Sequence, residues 1–591
     1  MKKRMKLIRN TIFKEPYLVK GLIYLPLIAG IKDLISVMEL KIAIDIIMID
    51  HSIMELIVFV FLIRILSWLF SIIECKYQWQ KIPVGYLQLR KKCDAVVAEK
   101  IEEIPFTQLQ TDTIRNKLER SVITIGDHLV NVSDQLRFLL SGLVSVILTG
   151  IFIGQANVLL IVLAIVSAVI SMYINNKLGD IDAERVMNSS RDTRIIDYIN
   201  RIFLMPEYSY DIRYRSKASF FRDKERNSYD ALIKQQNKYN KKKTCLQIIK
   251  ELQLYVIVYG LGTVVLIPNI NNGSITISFV AAALYGAVRM ANAVESISFS
   301  GGKLKSEVPF LDEAVDIFDR YHHEKEKPNR YPLNSTMKIE FRNVSYEYEV
   351  GKKVLNNISF IVNPGEKIGI VGINGAGKTT LIRLLTGIIE PTEGKIFIND
   401  IDLSEFPKET RKAMFGMSLQ KFGVFCFTIG QNITLQYHTE EDRKNRLLAV
   451  LRRVDLEKTV EDLPDKENTY IGAELGEPNI NLSGGQLQRV SIARAIYSQN
   501  PILVFDEPTS SLDAFAEDRL FSDMLSASED RNMFFVTHQL SFTTKLDRII
   551  VLKEGKVEEY GTHSELMQRA GYYSKMFTTQ KSLFIKNGHI D

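Results

Sequence analysis

Cysteine is scarce in this chain: four residues in 591, Cys75, Cys93, Cys245 and Cys426, with no C-x-x-C spacing among them. That pattern excludes a disulfide framework and a thiolate metal site from the reading and leaves incidental reduced thiols. The basic start (Lys2, Lys3, Arg4, Lys6, Arg9) lacks a small-residue cleavage site, and further apolar runs follow it. It therefore reads as a retained cytoplasmic segment, not a signal peptide. No cysteine-protease region is expected ahead of the first apolar run, which begins near Tyr17. Charge of one sign is not strongly in excess either, with Lys+Arg 75 against Asp+Glu 69 and a net +6, and no nucleic-acid partner is expected.

What the chain does have is a sharp difference between its halves. Mean hydropathy is near zero overall, yet residues 17–300 hold long apolar runs and residues 335–580 read as a soluble α/β domain. About 20 apolar residues in a helix cross the hydrocarbon layer. Six candidates fit: residues 18–40, 53–73, 138–153, 158–173, 252–267 and 275–293. Short uncharged connections, 154–157 and 268–274, separate the third from the fourth and the fifth from the sixth. The other two connections, 74–137 and 174–251, are long, poor in Gly and Pro, and rich in Lys and Arg, as in Arg90-Lys91-Lys92 and Lys241-Lys242-Lys243. Cationic segments beside spans stay in the cytoplasm. Both termini and both long loops are therefore expected inside, the loops as helical extensions of the spans. Lys32, Asp33, Arg64 and Arg289 fall within apolar segments, and Glu39 interrupts the first of them. Ionised groups there face a wet path or a partner charge, so these residues either line a polar substrate path or form intramembrane ion pairs.

The second half carries two nucleotide signatures. The run Gly372, Ile373, Asn374, Gly375, Ala376, Gly377, Lys378, Thr379, Thr380 fits the phosphate-cradling G-x-x-x-x-G-K-[ST] loop, and it lies between an apolar run at 368–371 and a helical start. Its glycines let backbone N–H groups converge on phosphate oxygens at a helix N-terminus. Lys378 then neutralises the β/γ-phosphates, and the Thr379 hydroxyl suits Mg²⁺. The second signature is Leu482, Ser483, Gly484, Gly485, Gln486, followed by the apolar run 502–505 and the pair Asp506, Glu507.

Together these motifs resemble the ATP-binding cassette (ABC) family, and the whole chain resembles a bacterial exporter-type half-transporter. The implied fold is an α-helical polytopic membrane domain of six transmembrane helices with long cytoplasmic extensions (residues 1–310). A linker (311–335), an α/β P-loop ATPase domain (336–580) and a C-terminal tail (581–591) follow. The resemblance implies ATP and Mg²⁺ as ligands, with Asp506, Thr379 and Gln420 at the metal and Glu507 as general base. His538 is implied at the γ-phosphate and Tyr348 on the adenine, with Tyr346 as the other candidate. Ser483, Gly484, Gly485 and Gln486 would face the nucleotide held by a second cassette, with Asp513 contacting that partner. A homodimer is implied first and a heterodimer second. Coupling helices are implied near 105–113 and 207–213.

The stretch 472–479 departs from the Glu-Arg-Gly pattern of many members and is similar to peptide-exporter cassettes. The expected function is ATP-driven export, across the cytoplasmic membrane, of a peptide of bacteriocin, lantibiotic or signalling type. Leader removal, if any, is expected elsewhere. A lipid or multidrug exporter is the alternative, and a siderophore-type importer remains open.

Overall fold

A computed structural model gives the structure and describes residues 2–48, 53–205, 208, 212–213, 218–321, 334–349, 351–420, 422–436, 441–472, 479–508 and 514–587. The chain divides into two units, Met1–Ile104 with Leu109–His322, and Pro105–Gln108 with His323–Asp591.

The described residues of the first unit form helices joined by short turns. Its elements are α1 (Lys2–Thr11), α2 (Pro16–Met48), α3 (Ile53–Cys75), α4 (Ile82–Glu103), α7 (Ile125–Gly154), α8 (Val158–Leu204), α9 (Ala218–Leu254), α10 (Gly262–Asn271) and α11 (Ile277–Arg320), with the short α6 (Asp112–Lys117) ahead of α7; the short α5 (Phe106–Leu109), between α4 and α6 in the chain, falls mostly in the second unit. Among the described residues, six helical stretches are long and apolar enough to cross a membrane, one for each expected run. Three π-helical turns, Lys76–Lys81, Leu118–Val122 and Tyr255–Leu261, join α3 to α4, α6 to α7 and α9 to α10. The first and third keep the spanning helices continuous with the charged segments beside them. The long basic connections are accordingly helical, as their lack of Gly and Pro implies.

The tight turn at 154–157 lies between α7 and α8, and Asn157 caps α8 by accepting from the Leu159 N–H at 2.9 Å. Asn269 Nδ2 donates to the Ala156 carbonyl at 2.9 Å, so the two short connections are tied together. The apolar window of α3 has none of its residues buried, against 56% for α11. Small residues explain the difference: Ala282, Ala283, Ala287 and Ala291 let neighbouring helices approach α11 closely.

The charged residues singled out within the spans are paired. Lys32 Nζ lies 2.7 Å from Glu74 and donates to Ser71 Oγ at 3.0 Å. Arg289 lies 3.3 Å from Asp33, which also accepts from Ser145 Oγ at 2.6 Å, and Arg64 lies 3.0 Å from Glu39. These contacts are the ion pairs that the sequence left open beside a polar path.

The second unit holds two main sheets. An antiparallel sheet has the order β2-β1-β4-β5, from β1 (Ile339–Glu349), β2 (Lys352–Val362), β4 (Glu393–Ile398) and β5 (Ile401–Asp402). A six-stranded sheet has the order β12-β11-β3-β10-β9-β6, from β3 (Lys367–Val371), β6 (Phe415–Ser418), β9 (Ile502–Asp506), β10 (Asn532–Val536), β11 (Arg548–Lys553) and β12 (Lys556–Gly561). Only the edge strand β12 pairs antiparallel in it. Every residue of β9 and β10 is buried, which is why 502–505 and 533–536 read as unbroken apolar runs.

Two expected boundaries shift. The segment assigned to a linker from 311 begins as helix: Leu311, Ala314 and Ile317 are buried at helical spacing and carry α11 to Arg320. The segment assigned to a tail from 581 begins inside a helix, Tyr572–Asn587. The implied coupling element at 207–213 lies mostly outside the described residues.

Candidate active site

Four adjacent parallel strands, β3, β10, β9 and β6, end on one side of the sheet, and the chain beyond each end carries one of the singled-out groups. In a parallel sheet this carboxyl end is where ligands collect. After β3 comes the glycine loop, after β10 His538, at and after β9 Asp506 and Glu507, and after β6 Gln420.

The glycine loop turns from β3 into the helix Lys378–Leu385. Gly372, Gly375 and Gly377 have φ of 155°, 82° and 101°, the region that glycine adopts most readily. A Cβ at Gly377 would sit 2.6 Å from Leu355 Cδ2, and one at Gly372 would sit 2.4 Å from the Leu552 carbonyl oxygen. Lys378 is 7% exposed, and its ammonium donates to the carbonyls of Gly372 at 2.9 Å and Ile373 at 3.2 Å. Burial pulls its pKa below the usual lysine value, against the opposing pull of Glu507 and Asp506.

Asp506 is 2% exposed. Burial, then the Glu507 charge, raises its carboxyl above the usual range, while Lys378 and a hydrogen bond from Thr379 pull it down. A buried carboxylate short of positive charge, beside a hydroxyl at the mouth of a phosphate loop, fits Mg²⁺. Among the described residues no group of three or more His, Cys, Asp or Glu could hold a metal alone.

Glu507 sits in the left-handed region at φ 51°. Its N–H donates to the Val536 carbonyl at 3.1 Å, and its own carbonyl accepts from Gln488 Nε2 at 3.1 Å. The carboxylate is where the strand ends converge: Gln420 Nε2 donates to Oε2 at 2.7 Å, and His538 Nε2 lies 2.5 Å from Oε1.

The remaining residues lie apart from that carboxylate. Ser483 is the N-cap of the helix Gly484–Tyr497, accepting from the Gln486 N–H at 3.3 Å while Gln486 Oε1 accepts from the Ser483 N–H at 2.9 Å. This capping box rigidifies the signature and leaves Ser483 and Gly484 exposed. Tyr348 is 46% exposed, its ring at right angles to that of Tyr346 with centroids 4.9 Å apart, and its hydroxyl accepts from Arg383 Nη1 at 2.9 Å. Tyr346, the other aromatic, is 7% exposed. Asp513 and the stretch 473–478 lie outside the described residues.

Sequence reasoning passed over Gln488 and Arg383. Gln488 had a readable signal, since a glutamine stands at helical spacing from the buried Ser491, Ile492 and Ala495. A polar residue on a buried stripe needs a partner, and here it is the Glu507 main chain. Arg383 had none, because only the fold brings it to Tyr348.

Residues 355–510 match the family model described as ABC transporter. The chain is similar to a lactococcin transport/processing ATP-binding protein (LcnC-like) of Lactococcus lactis, 30% identical over 73% of this chain and 59% of that one. It is also similar to the ATP-dependent lipid A-core flippase of Burkholderia orbicola, 37% identical over 41% of this chain and 40% of that one. The chain spans about one third to three fifths of the length of the curated relatives it matches. Among solved structures, a bacterial Atm1-family ABC exporter with ATP bound shares the fold, with a TM-score of 0.73 and 21% identity over 95% of this chain and 98% of that one.

Proposed function

The chain belongs to the ABC transporter family, and from that premise we propose that it is an ATP-hydrolysing exporter of the cytoplasmic membrane, with its ATPase unit in the cytoplasm and a peptide as cargo. The observation that carries the ATPase reading is the Glu507 carboxylate, bonded to Gln420 and facing His538, whose strand β10 lies between β9 and the β3 that leads into the glycine loop.

In this reading the loop amides and Lys378 bind the β/γ-phosphates, and Tyr348 stacks on the adenine. Thr379, Asp506 and Gln420 hold Mg²⁺, which when bound neutralises phosphate charge. Gln420 and Glu507 orient a water against the γ-phosphorus. Glu507 accepts its proton as the new P–O bond forms and the bond to the ADP oxygen breaks. General-base positioning of this kind contributes about 10²–10⁴-fold. His538 steadies the γ-phosphate. Ser483 to Gln486, preorganised by their capping box with Ser483 and Gly484 exposed, serve the nucleotide of a second copy, so two chains form the working unit. Asp513 is assigned the contact with that copy.

A peptide cargo is supported by the lactococcin-transport relative, which covers more of this chain than the flippase does. The flippase keeps a lipid cargo as the second reading, and a Bacillus subtilis relative named for multidrug export, 30% identical over 61% of this chain, keeps a drug cargo beside it. The test is ATP turnover of the purified full chain in nanodiscs, with peptides encoded beside its gene, lipids or drugs added. Stimulation by one peptide, abolished in Glu507→Gln with ATP binding retained, is the expected result. Indifference to peptides with stimulation by lipid overturns the cargo. Near-normal hydrolysis by Glu507→Gln overturns the base assignment.

A further inference from the structure

The segment after β10 carries His538 and then winds into a 3₁₀ turn, Leu540–Lys545. A loop at the end of a buried strand has main-chain groups with no ladder partner, and something must satisfy them. The C-terminal helix Tyr572–Asn587 does so. Gln580 spends both ends of its side-chain amide there: Nε2 donates to the His538 carbonyl oxygen at 2.9 Å, and Oε1 accepts from the Leu540 N–H at 2.7 Å.

Two further anchors hold the same segment. Seven residues before Gln580, on the same helix face, the fully buried Tyr573 places its hydroxyl 2.7 Å from Thr543 Oγ1 and 2.7 Å from His563 Nδ1. Its ring packs with Leu540, Val371 and Leu566. On the other side, Gln539 Nε2 donates to the buried Glu517 at 2.7 Å. The main chain is thus gripped on both sides of Gln539, and His538 projects from one end of that grip to Glu507.

We propose that Gln580 is a positioning residue for His538, and that the C-terminal helix is a brace on which ATP turnover depends. The inference rests on the proposed role of His538 in ATP hydrolysis. An imidazole must be held within a few tenths of an ångström to act on a phosphate oxygen, and a misplacement of about 1 Å costs on the order of 10²-fold. The brace sets that position through the backbone, without touching the nucleotide.

Two readouts on the full chain in nanodiscs test it. In Gln580→Ala, amide exchange across 537–545, centred on Leu540, should accelerate about tenfold, the size of one lost hydrogen bond. ATP kcat should fall about tenfold with KM for ATP within about twofold, and adding His538→Ala should cost no more than His538→Ala alone. Gln580→Glu preserves side-chain size and the acceptor but sets a charged, acceptor-only oxygen against the His538 carbonyl, so a folded cassette with a kcat below wild type is expected even if the alanine variant is unstable. Unchanged exchange overturns the brace. Wild-type kcat in both Gln580 variants, or a double variant whose losses multiply fully, overturns the role. A wild-type chain without ATPase activity overturns the transport-ATPase reading and the role with it. An active wild type with unaffected Gln580 variants overturns this inference alone.

Discussion

Gln420 and Glu507 stand 87 positions apart in the chain and are joined by one hydrogen bond, Nε2 to Oε2 at 2.7 Å. They meet because β6 and β9 are parallel neighbours with Ser418 paired to Phe505, so the chain leaves both strands at one level. The bond orients the carboxylate that His538 faces from the other side.

Removing that donor should cost activity without emptying the phosphate loop. Gln420→Ala is expected to lower kcat about tenfold or more and to raise the Mg²⁺ concentration for half-maximal rate. Gln420→Glu should lose more, because two carboxylates would then repel each other. Steady-state ATPase over a Mg²⁺ series checks both. An unchanged kcat and unchanged Mg²⁺ dependence in the alanine variant would remove Gln420 from the site.

The glycine loop should discriminate between its own glycines. Gly377→Ala combines a φ of 101° with a Cβ placed 2.6 Å from Leu355 Cδ2, whereas Gly375→Ala has a φ of 82° and open space around it. Both carry backbone strain, about 1–3 kcal/mol each, and only the first adds a collision with a buried leucine. Gly377→Ala should therefore lower both the cassette's thermal midpoint and its ATP affinity further than Gly375→Ala. Equal effects would show that the collision is relieved at no cost.

The pairing of Lys32 with Glu74 at 2.7 Å makes a charge-swap prediction. Lys32→Ala leaves an unpaired carboxylate beside an apolar span and should destabilise the membrane unit by about 2 kcal/mol. Lys32→Glu alone should be worse, and Lys32→Glu with Glu74→Lys should recover most of the loss. Thermal unfolding in nanodiscs reads all three. A double variant no better than the single charge reversal would argue that the two charges do not stabilise each other.

His563 supplies a pH dependence. Burial holds its pKa below the ordinary 6.5, so the folded cassette favours the neutral ring bonded to Tyr573. With the folded value depressed, the unfolded chain takes up the proton first. The contribution is present above about pH 6.5 and is lost as the pH falls from there through the folded value. The cassette's thermal midpoint should drop between about pH 7.5 and 5.5, and His563→Gln should flatten that drop. An identical pH profile in the variant would assign the titration to other groups.

Much of this was legible without coordinates, for identifiable reasons. The six spans were readable because a bilayer demands about 20 consecutive apolar residues, a condition written locally in the chain. The glycine loop was readable because backbone amides that wrap a phosphate need glycine at fixed spacing, and strands buried on both faces spell unbroken apolar runs. The ends of α11 and of the C-terminal helix were misjudged. Charged residues at 312–320 and the polar run near 580 look like linker and tail, while their buried partners lie far away in sequence.

The sequence by itself determined which chemical groups this protein has and on which elements they sit, because helix, strand and phosphate-loop geometry are set by short-range rules. Only the tertiary structure decided which groups meet. Arg289 with Asp33, Gln488 with the Glu507 main chain, and Gln580 with the segment behind His538 all depend on strand order and helix packing. Hydrogen bonds and ion pairs act over about 3 Å, so only the folded chain brings such distant residues within reach.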